Sequence, residues 1–118
     1  MEVDYAMKLG KNTASNTSNE HAMLKNQILE IMKNSSFEFV SLLIDNKHFG
    51  NVIIIISNNS GFVRFIEDRG DIYIEKKLHT DTTWKVSNFN SKSDNNIEMP
   101  HSKLIYALKA YIDVYNNA

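Results

Sequence analysis

The sequence predicts an α+β domain, with an antiparallel β-meander of four to five strands flanked by an N-terminal and a C-terminal helix. In the middle of the chain, runs of β-branched and aromatic residues alternate with turns rich in Asn, Asp and Gly. Such runs are typical of strands joined by hairpins. Towards both ends, apolar residues recur every three or four positions, as they do in amphipathic helices.

The size and composition of the chain indicate one domain. Its 118 residues lie within the usual range, and a hydrophobic fraction of 42% is enough to form a core. Residues 1–16 are polar and lack helical periodicity. We therefore expect a flexible lead-in over residues 1–16 and a single α+β domain over residues 17–118.

The charge balance and the lack of cysteine argue against several classes of protein. The formal net charge is -1, whereas nucleic-acid-binding domains usually carry a clear basic excess. Without cysteine there is no disulfide scaffold and no thiolate metal site. No apolar run reaches the roughly 18 residues of a membrane-spanning helix, and the N-terminus lacks the apolar centre of a secretory signal. The simplest prediction is a cytoplasmic protein.

The first helix is predicted over residues 18–33. Residues 17–20 read T-S-N-E, which is the spacing of a capping box at a helix start. Apolar residues follow at helical spacing, namely Leu24, Ile28, Ile31 and Met32.

The next two apolar runs predict strands. Residues 37–44 alternate only in part, but their β-branched and aromatic content favours a strand over a second helix. Residues 52–56 are apolar at every position, which predicts a central strand covered on both faces. Three arrangements would shield both apolar faces of this strand from water: helices divided between the two faces, a second copy of the chain, or a protein partner.

A hairpin is predicted around residues 67–71. A two-residue loop at residues 69–70 places Arg64 opposite Glu75, whereas a three-residue loop places Arg64 opposite Ile74. We favour the two-residue loop because it pairs opposite charges.

The C-terminal third predicts an edge strand, a polar loop and a helix. Residues 82–86 predict the short strand, which carries Trp84, the only tryptophan. Residues 87–96 predict the loop, and Pro100 fits the first turn of the helix because no N–H is needed there. The apolar stripe of the helix consists of Leu104, Ile105, Leu108, Tyr111, Ile112 and Tyr115.

No pattern in the sequence is typical of an enzyme or of a metal or cofactor site. The four histidines are scattered, and none has the spacing of a metal-binding motif. The chain has no nucleophile elbow and no phosphate-binding glycine-rich loop. Glu67 and Asp68 are adjacent, but their place in a turn favours solvated residues. We predict a protein that is not an enzyme and holds no metal or cofactor.

One stretch overlaps a nucleic-acid-binding pattern. Residues 61–65 read G-F-V-R-F, part of the core of the RNA-recognition motif, but Ser60 stands where that motif has a basic residue. The meander also differs from the strand order of that fold. Two alternatives stay open: a small ligand-binding domain with a pocket between helix and sheet, and a nucleic-acid-binding module whose sheet face uses Phe62, Arg64, Tyr73 and Lys77.

Residues 68–71, with the sequence D-R-G-D, have two interpretations. In an ordinary turn the Asp begins the turn, the Gly adopts positive φ, and Arg69 points to solvent. In a recognition site the same rigid, charged tip docks a partner, and Arg69 anchors a carboxylate or phosphate.

Three short motifs give the chain a resemblance to a known group of proteins. Residues 49–51 read F-G-N, residues 64–66 read R-F-I, and residues 68–70 read D-R-G before an aromatic and aliphatic strand. In this combination the chain resembles small bacterial immunity-type proteins that accompany polymorphic toxins, including contact-dependent growth-inhibition systems. A Gln is common after the D-R-G of such proteins, whereas this chain has Asp71.

The resemblance implies a cytoplasmic immunity protein that binds the C-terminal domain of one cognate toxin and blocks its active site or substrate path. From the residues themselves we expect no membrane partner, because no apolar run is long enough, and the charge balance argues against nucleic acid; a homo-oligomer stays open. If the toxin is a basic nuclease, carboxylates of the immunity protein would mimic phosphates. We expect the partner-binding residues to be Glu67, Asp68, Arg69 and Asp71 at the hairpin tip, with Arg64 and Trp84 as further candidates.

Overall fold

A computed structural model describes residues 11–45, 51–89 and 101–116, with side chains from residue 19 onward. Its five strands are in the order β1-β2-β3-β4-β5, and each is antiparallel to its neighbour. The predicted α+β meander between two helices is confirmed. The elements are α1 (Lys11–Met32), β1 (Glu38–Asp45), β2 (Asn51–Ser57), β3 (Gly61–Asp68), β4 (Asp71–Leu78), β5 (Lys85–Val86) and α2 (Ser102–Tyr115).

Some element boundaries differ from the sequence-based expectation. Helix α1 begins at Lys11 rather than near residue 18, so Thr17 lies inside the helix and does not cap it. Residues 11–16 contain no Gly or Pro, and nothing local therefore stops the helix before Thr17. Residues 1–10 of the expected lead-in, Pro100 and most of the expected polar loop lie outside the described residues.

Both helices pack on the same face of the sheet. Helix α1 contacts β1, helix α2 contacts β3 and β4, and the two helices contact each other. In each helix, apolar residues recur every three or four positions and form one stripe. In each strand, every second residue faces the helices, and the stripes pack against these residues. The buried residues are Leu24, Ile28, Met32, Phe37, Leu42, Ile44, Val52, Ile54, Ile56, Val63, Phe65, Ile74, Leu104, Ala107, Leu108, Tyr111 and Ile112.

The central strand β2 is not covered equally on its two faces. Ile54 is 0% exposed beneath the helices, whereas Ile53 and Ile55 on the other face are only partly buried. Of the three kinds of cover that the sequence left open, the division of helices between the two faces does not occur among the described residues. Handedness rules fix the side of a helix only when it connects parallel strands, and here each helix lies at one end of a meander. We call the helix-free side of the described sheet the open face.

Two turns position the strands. Between β2 and β3, the Oδ1 of Asn58 accepts hydrogen bonds from the N–H of Ser60 (2.9 Å) and of Gly61 (3.2 Å). Between β3 and β4, Arg69 and Gly70 have φ values of 55° and 88°, as a type I′ turn requires.

The two-residue loop between β3 and β4 sets the register of this hairpin. Arg64 lies opposite Glu75, which confirms the predicted pairing. Strand β1 is confirmed as a strand and has an irregularity between Phe39 and Ser41. Strand β5 is shorter than expected, and Trp84 lies just before it.

Candidate functional site

The open face is ordered in rows that run across the strands. Its central row is apolar and comes from four adjacent strands, in the order Leu43, Ile53, Ile66 and Tyr73. Leu43 is 56% exposed and Tyr73 is 51% exposed. A row of apolar side chains with this exposure is the type of surface that partners bind.

Carboxylates lie at one end of the open face, one row beyond the apolar row. Asp68 and Asp71 are direct cross-strand partners next to the β3–β4 turn, and Asp45 ends strand β1 at the same end of the sheet. Side chains alternate along a strand, so Asp68 lies on the same face as Ile66, two residues before it. We call Asp45, Asp68 and Asp71 the acidic row.

The β3–β4 turn adds a cation to this acidic end. The Nε of Arg69 is 4.0 Å from Oδ1 of Asp68, and 70% of the Arg69 side chain is exposed. Three of the predicted partner-binding residues, Asp68, Arg69 and Asp71, therefore lie together at the edge of the open face.

Aromatic rings and cations form the opposite end of the open face. The guanidinium of Arg64 lies 4.3 Å from the ring centre of Trp84, and its Nε donates a hydrogen bond of 2.7 Å to Glu75. The Nζ of Lys77 is 5.3 Å from the same ring and 5.6 Å from that of Phe62. The structure thus brings the predicted residues Arg64 and Trp84 together on the open face.

Glu67 is not part of the turn surface. It belongs to strand β3, and alternation along the strand directs it to the helix side. Its Oε1 lies 2.5 Å from Nδ1 of His101, while Nε2 of His101 lies 3.0 Å from Oε2 of Glu20. The three side chains join β3, α1 and the start of α2, and we call them the His101 clasp.

The His101 clasp joins the two helices to the sheet through one imidazole and two carboxylates. Partial burial lowers the pKa of His101, but the hydrogen bonds and charges of Glu20 and Glu67 outweigh this effect and raise the pKa above its ordinary value. His101 has a φ of 63°, a left-handed backbone conformation immediately before α2. Both ring nitrogens face a carboxylate, and neither is left to bind a metal ion.

Within residues 19–45, 51–89 and 101–116, no group of three or more His, Asp or Glu side chains is arranged to hold a metal ion. No helix in the described part of the chain is long and apolar enough to span a membrane.

Sequence reasoning found part of the site and missed part of it. The alternation of β3 and β4 predicted Arg64 and Glu75 as partners, and turn chemistry predicted the tip. It missed the apolar row. Leu43 in β1 and Ile53 in β2 each lie one position away from a residue that faces the helices, so both side chains point to the opposite face. The signal was available in principle, because a one-sided sheet must expose every second residue.

The fold and the site together define a class: a small α+β domain with an apolar sheet face bordered by carboxylates at one end and by stacked cations at the other. Searches with the whole chain found no matching family model, no matching curated protein and no matching solved structure.

Proposed function

We propose that this protein is an immunity-type binding protein that neutralises a cognate bacterial toxin domain in the cytoplasm, and that it docks through the open face and the β3–β4 turn. The observation that supports this most is the apolar row beside the acidic row. Contiguous exposed apolar surface bordered by polar residues is typical of protein–protein interaction sites.

The apolar row supplies the anchors of the interface. Tyr73 and Leu43 are half exposed in the free protein and lose that exposure when a partner covers them. Tyrosine is enriched among the residues that dominate binding energy, because its large ring is buried at low cost in conformational entropy.

The acidic row favours a partner surface that is positively charged. Asp68 and Asp71 are directly opposite each other, and like charges in such a pair destabilise the free hairpin. A Lys or Arg of the toxin placed between the two carboxylates relieves that repulsion and forms charge-assisted hydrogen bonds. The proposed occupant is therefore a basic surface, such as the substrate path of a nuclease, where the carboxylates take the place of phosphates.

A nucleic-acid-binding module is the second candidate. Phe62, Arg64, Tyr73 and Lys77 all belong to the open face, as that alternative requires. Glu75, however, neutralises the charge of Arg64. The acidic row would also repel a phosphate backbone, which is the main source of affinity for nucleic acid. We therefore favour a protein partner.

The test is protection of cells from a toxin domain. The C-terminal domain of a toxin encoded next to this gene is expressed with and without the full chain, and growth and co-purification are measured. We expect protection, and we expect the double variant Asp68→Lys with Asp71→Lys to lose at least tenfold in affinity because it reverses two charges at the interface.

Asp113→Lys is the matched control, because Asp113 is exposed on helix α2 away from the open face. It should protect as well as the natural chain. Unchanged affinity in the double variant would move the interface elsewhere, and a gene neighbourhood without any toxin gene would count against the function itself. Salt-sensitive binding of single-stranded RNA by the full chain would favour the second candidate.

A further inference from the structure

A cavity of about 380 Å³ lies at the end of the β3–β4 hairpin that is remote from its turn. Its volume falls within the range of small-molecule sites. Most of the strand residues that line it alternate to the helix side of the sheet, where Tyr111 of α2 contacts Phe65, whereas Phe62 and Lys77 of its lining belong to the open face. Its lining includes Gly61, Val63, Lys76, Leu78, Lys85 and Tyr111.

Three lysines line this cavity, and two of them are cross-strand partners. Lys76 on β4 and Lys85 on β5 are direct cross-strand partners, and both side chains are exposed. Neither forms a salt bridge with a described residue. Like charges placed directly opposite each other destabilise a sheet. A local conflict of this kind is expected at functional positions, where another molecule resolves it.

The rest of the lining is mainly apolar. Val63 and the ring of Tyr111 supply buried apolar surface. Burial, assisted by the nearby Tyr115, raises the pKa of Tyr111, so its ring stays uncharged and does not repel an anion. Asp81 also lines the cavity, where its Oδ2 accepts a hydrogen bond of 3.0 Å from the N–H of Leu78.

We propose that this cavity binds a small organic anion, with the negative group between Lys76 and Lys85 and an apolar body against Val63 and Tyr111. The anion relieves the repulsion between the two ammonium groups and accepts charge-assisted hydrogen bonds from both. Lys76, Lys85, Val63 and Tyr111 are on the helix side of the sheet, opposite the apolar row, so a partner on the open face leaves these proposed contacts uncovered.

The test is a titration of the full, ¹⁵N-labelled chain followed by NMR. Benzoate and phenyl phosphate are the anionic probes, and neutral benzamide has the same ring without the charge. We expect saturable shifts at the amides of Gly61, Lys76 and Lys85 with one or both anions. Benzamide should bind at least about tenfold more weakly, because it lacks the charged acceptor. The stronger of the two anions identifies the ligand as a carboxylate or a phosphate.

Lys76→Gln and Lys85→Gln should each weaken the binding of the preferred anion by about tenfold. Lys109→Gln, an exposed lysine of α2 outside the cavity lining, should leave it unchanged. Both cavity variants remove a repulsion and should fold with unchanged spectra elsewhere. The proposal fails if neither anion gives saturable shifts, if benzamide binds as tightly as the anions, or if the shifts occur on the open face at Leu43 and Ile53.

Discussion

Glu67 and His101 are 34 residues apart in the chain, yet their side chains meet at 2.5 Å between Oε1 and Nδ1. This contact joins the sheet to the first residue before α2. It also explains why Glu67 is not a surface residue of the hairpin tip, since its carboxylate is committed to a histidine on the helix side.

The first prediction concerns this contact and pH. The raised pKa of His101 means that the charged ring stabilises the folded state. This contribution is fully present below the unfolded pKa of about 6.5 and is lost as the pH rises through the higher pKa of the folded state. His101→Gln should therefore lower the free energy of unfolding by about 1–2 kcal/mol at pH 6 and by much less at pH 9.

Urea unfolding at the two pH values measures this difference. His79→Gln is the control, because the ring of His79 contacts the carbonyl of Asn58 at 2.9 Å rather than a carboxylate. An equal loss for His101→Gln at both pH values would show that the clasp acts by packing and not by charge.

The second prediction compares neighbouring isoleucines of β2. Ile54 is 0% exposed under the helices, while Ile55 lies on the open face and is partly buried. Ile54→Ala should destabilise the fold by about 2–5 kcal/mol. Ile55→Ala removes the same atoms from a half-covered site and should cost about 1 kcal/mol or less.

Thermal and urea unfolding of the two variants provides the measurement. An equal cost for the two substitutions would mean that the open face is covered in solution. In that case a loss of stability that depends on protein concentration would identify a second copy as the cover.

Much of the fold could be predicted from local patterns. The turn at Arg69 and Gly70 and the opposite charges of Arg64 and Glu75 were sufficient to place one hairpin in register, because both effects act within a few residues. The side on which each helix packs was beyond such reasoning. That choice depends on how two distant apolar stripes share one sheet face.

The candidate site, like the fold, could be predicted only where its residues are set by local patterns. Asp68 and Asp71 could be placed at the tip because turn chemistry is local. Glu67 was grouped with them by proximity in sequence, although strand alternation alone assigns it to the opposite face from Asp68. Its partner His101 comes from a separate element, and no spacing rule links the two residues.

The third prediction concerns the close approach of β3 and β4. A Cβ atom on Gly61 would lie 2.1 Å from the carbonyl oxygen of Lys77. Because that oxygen belongs to the backbone, Gly61→Ala must shift a strand and should destabilise the fold by about 1–3 kcal/mol.

Gly70→Ala is the comparison, since a Cβ atom there meets nothing within 4 Å and only the φ of +88° opposes the change. Its cost should be about 1 kcal/mol. NMR spectra should show shifts along β3 and β4 for the first variant and shifts confined to the turn for the second. A Gly61→Ala variant with natural stability would contradict the close approach of the strands.

The fourth prediction uses Trp84 as a reporter, because it is the only tryptophan. Arg64→Lys removes the planar group that stacks on the indole and the fork that holds Glu75. We expect a red shift of the fluorescence emission and a loss of about 0.5–1 kcal/mol in stability.

Arg69→Lys changes the arginine of the β3–β4 turn in the same way and should leave the emission unchanged. An identical spectrum for the Arg64 variant would indicate that the stack is not maintained in solution. Binding of the proposed toxin domain to the natural chain should alter the Trp84 emission as the open face is covered.

The meander order has a consequence for the time course of folding. Each strand pairs with its neighbour in the chain, so the sheet can grow one hairpin after another by closing short loops. The contact between His101 and Glu20 instead joins residues 81 positions apart. We expect the sheet to assemble early and rapidly, and the two helices to be brought together in the slower, final step.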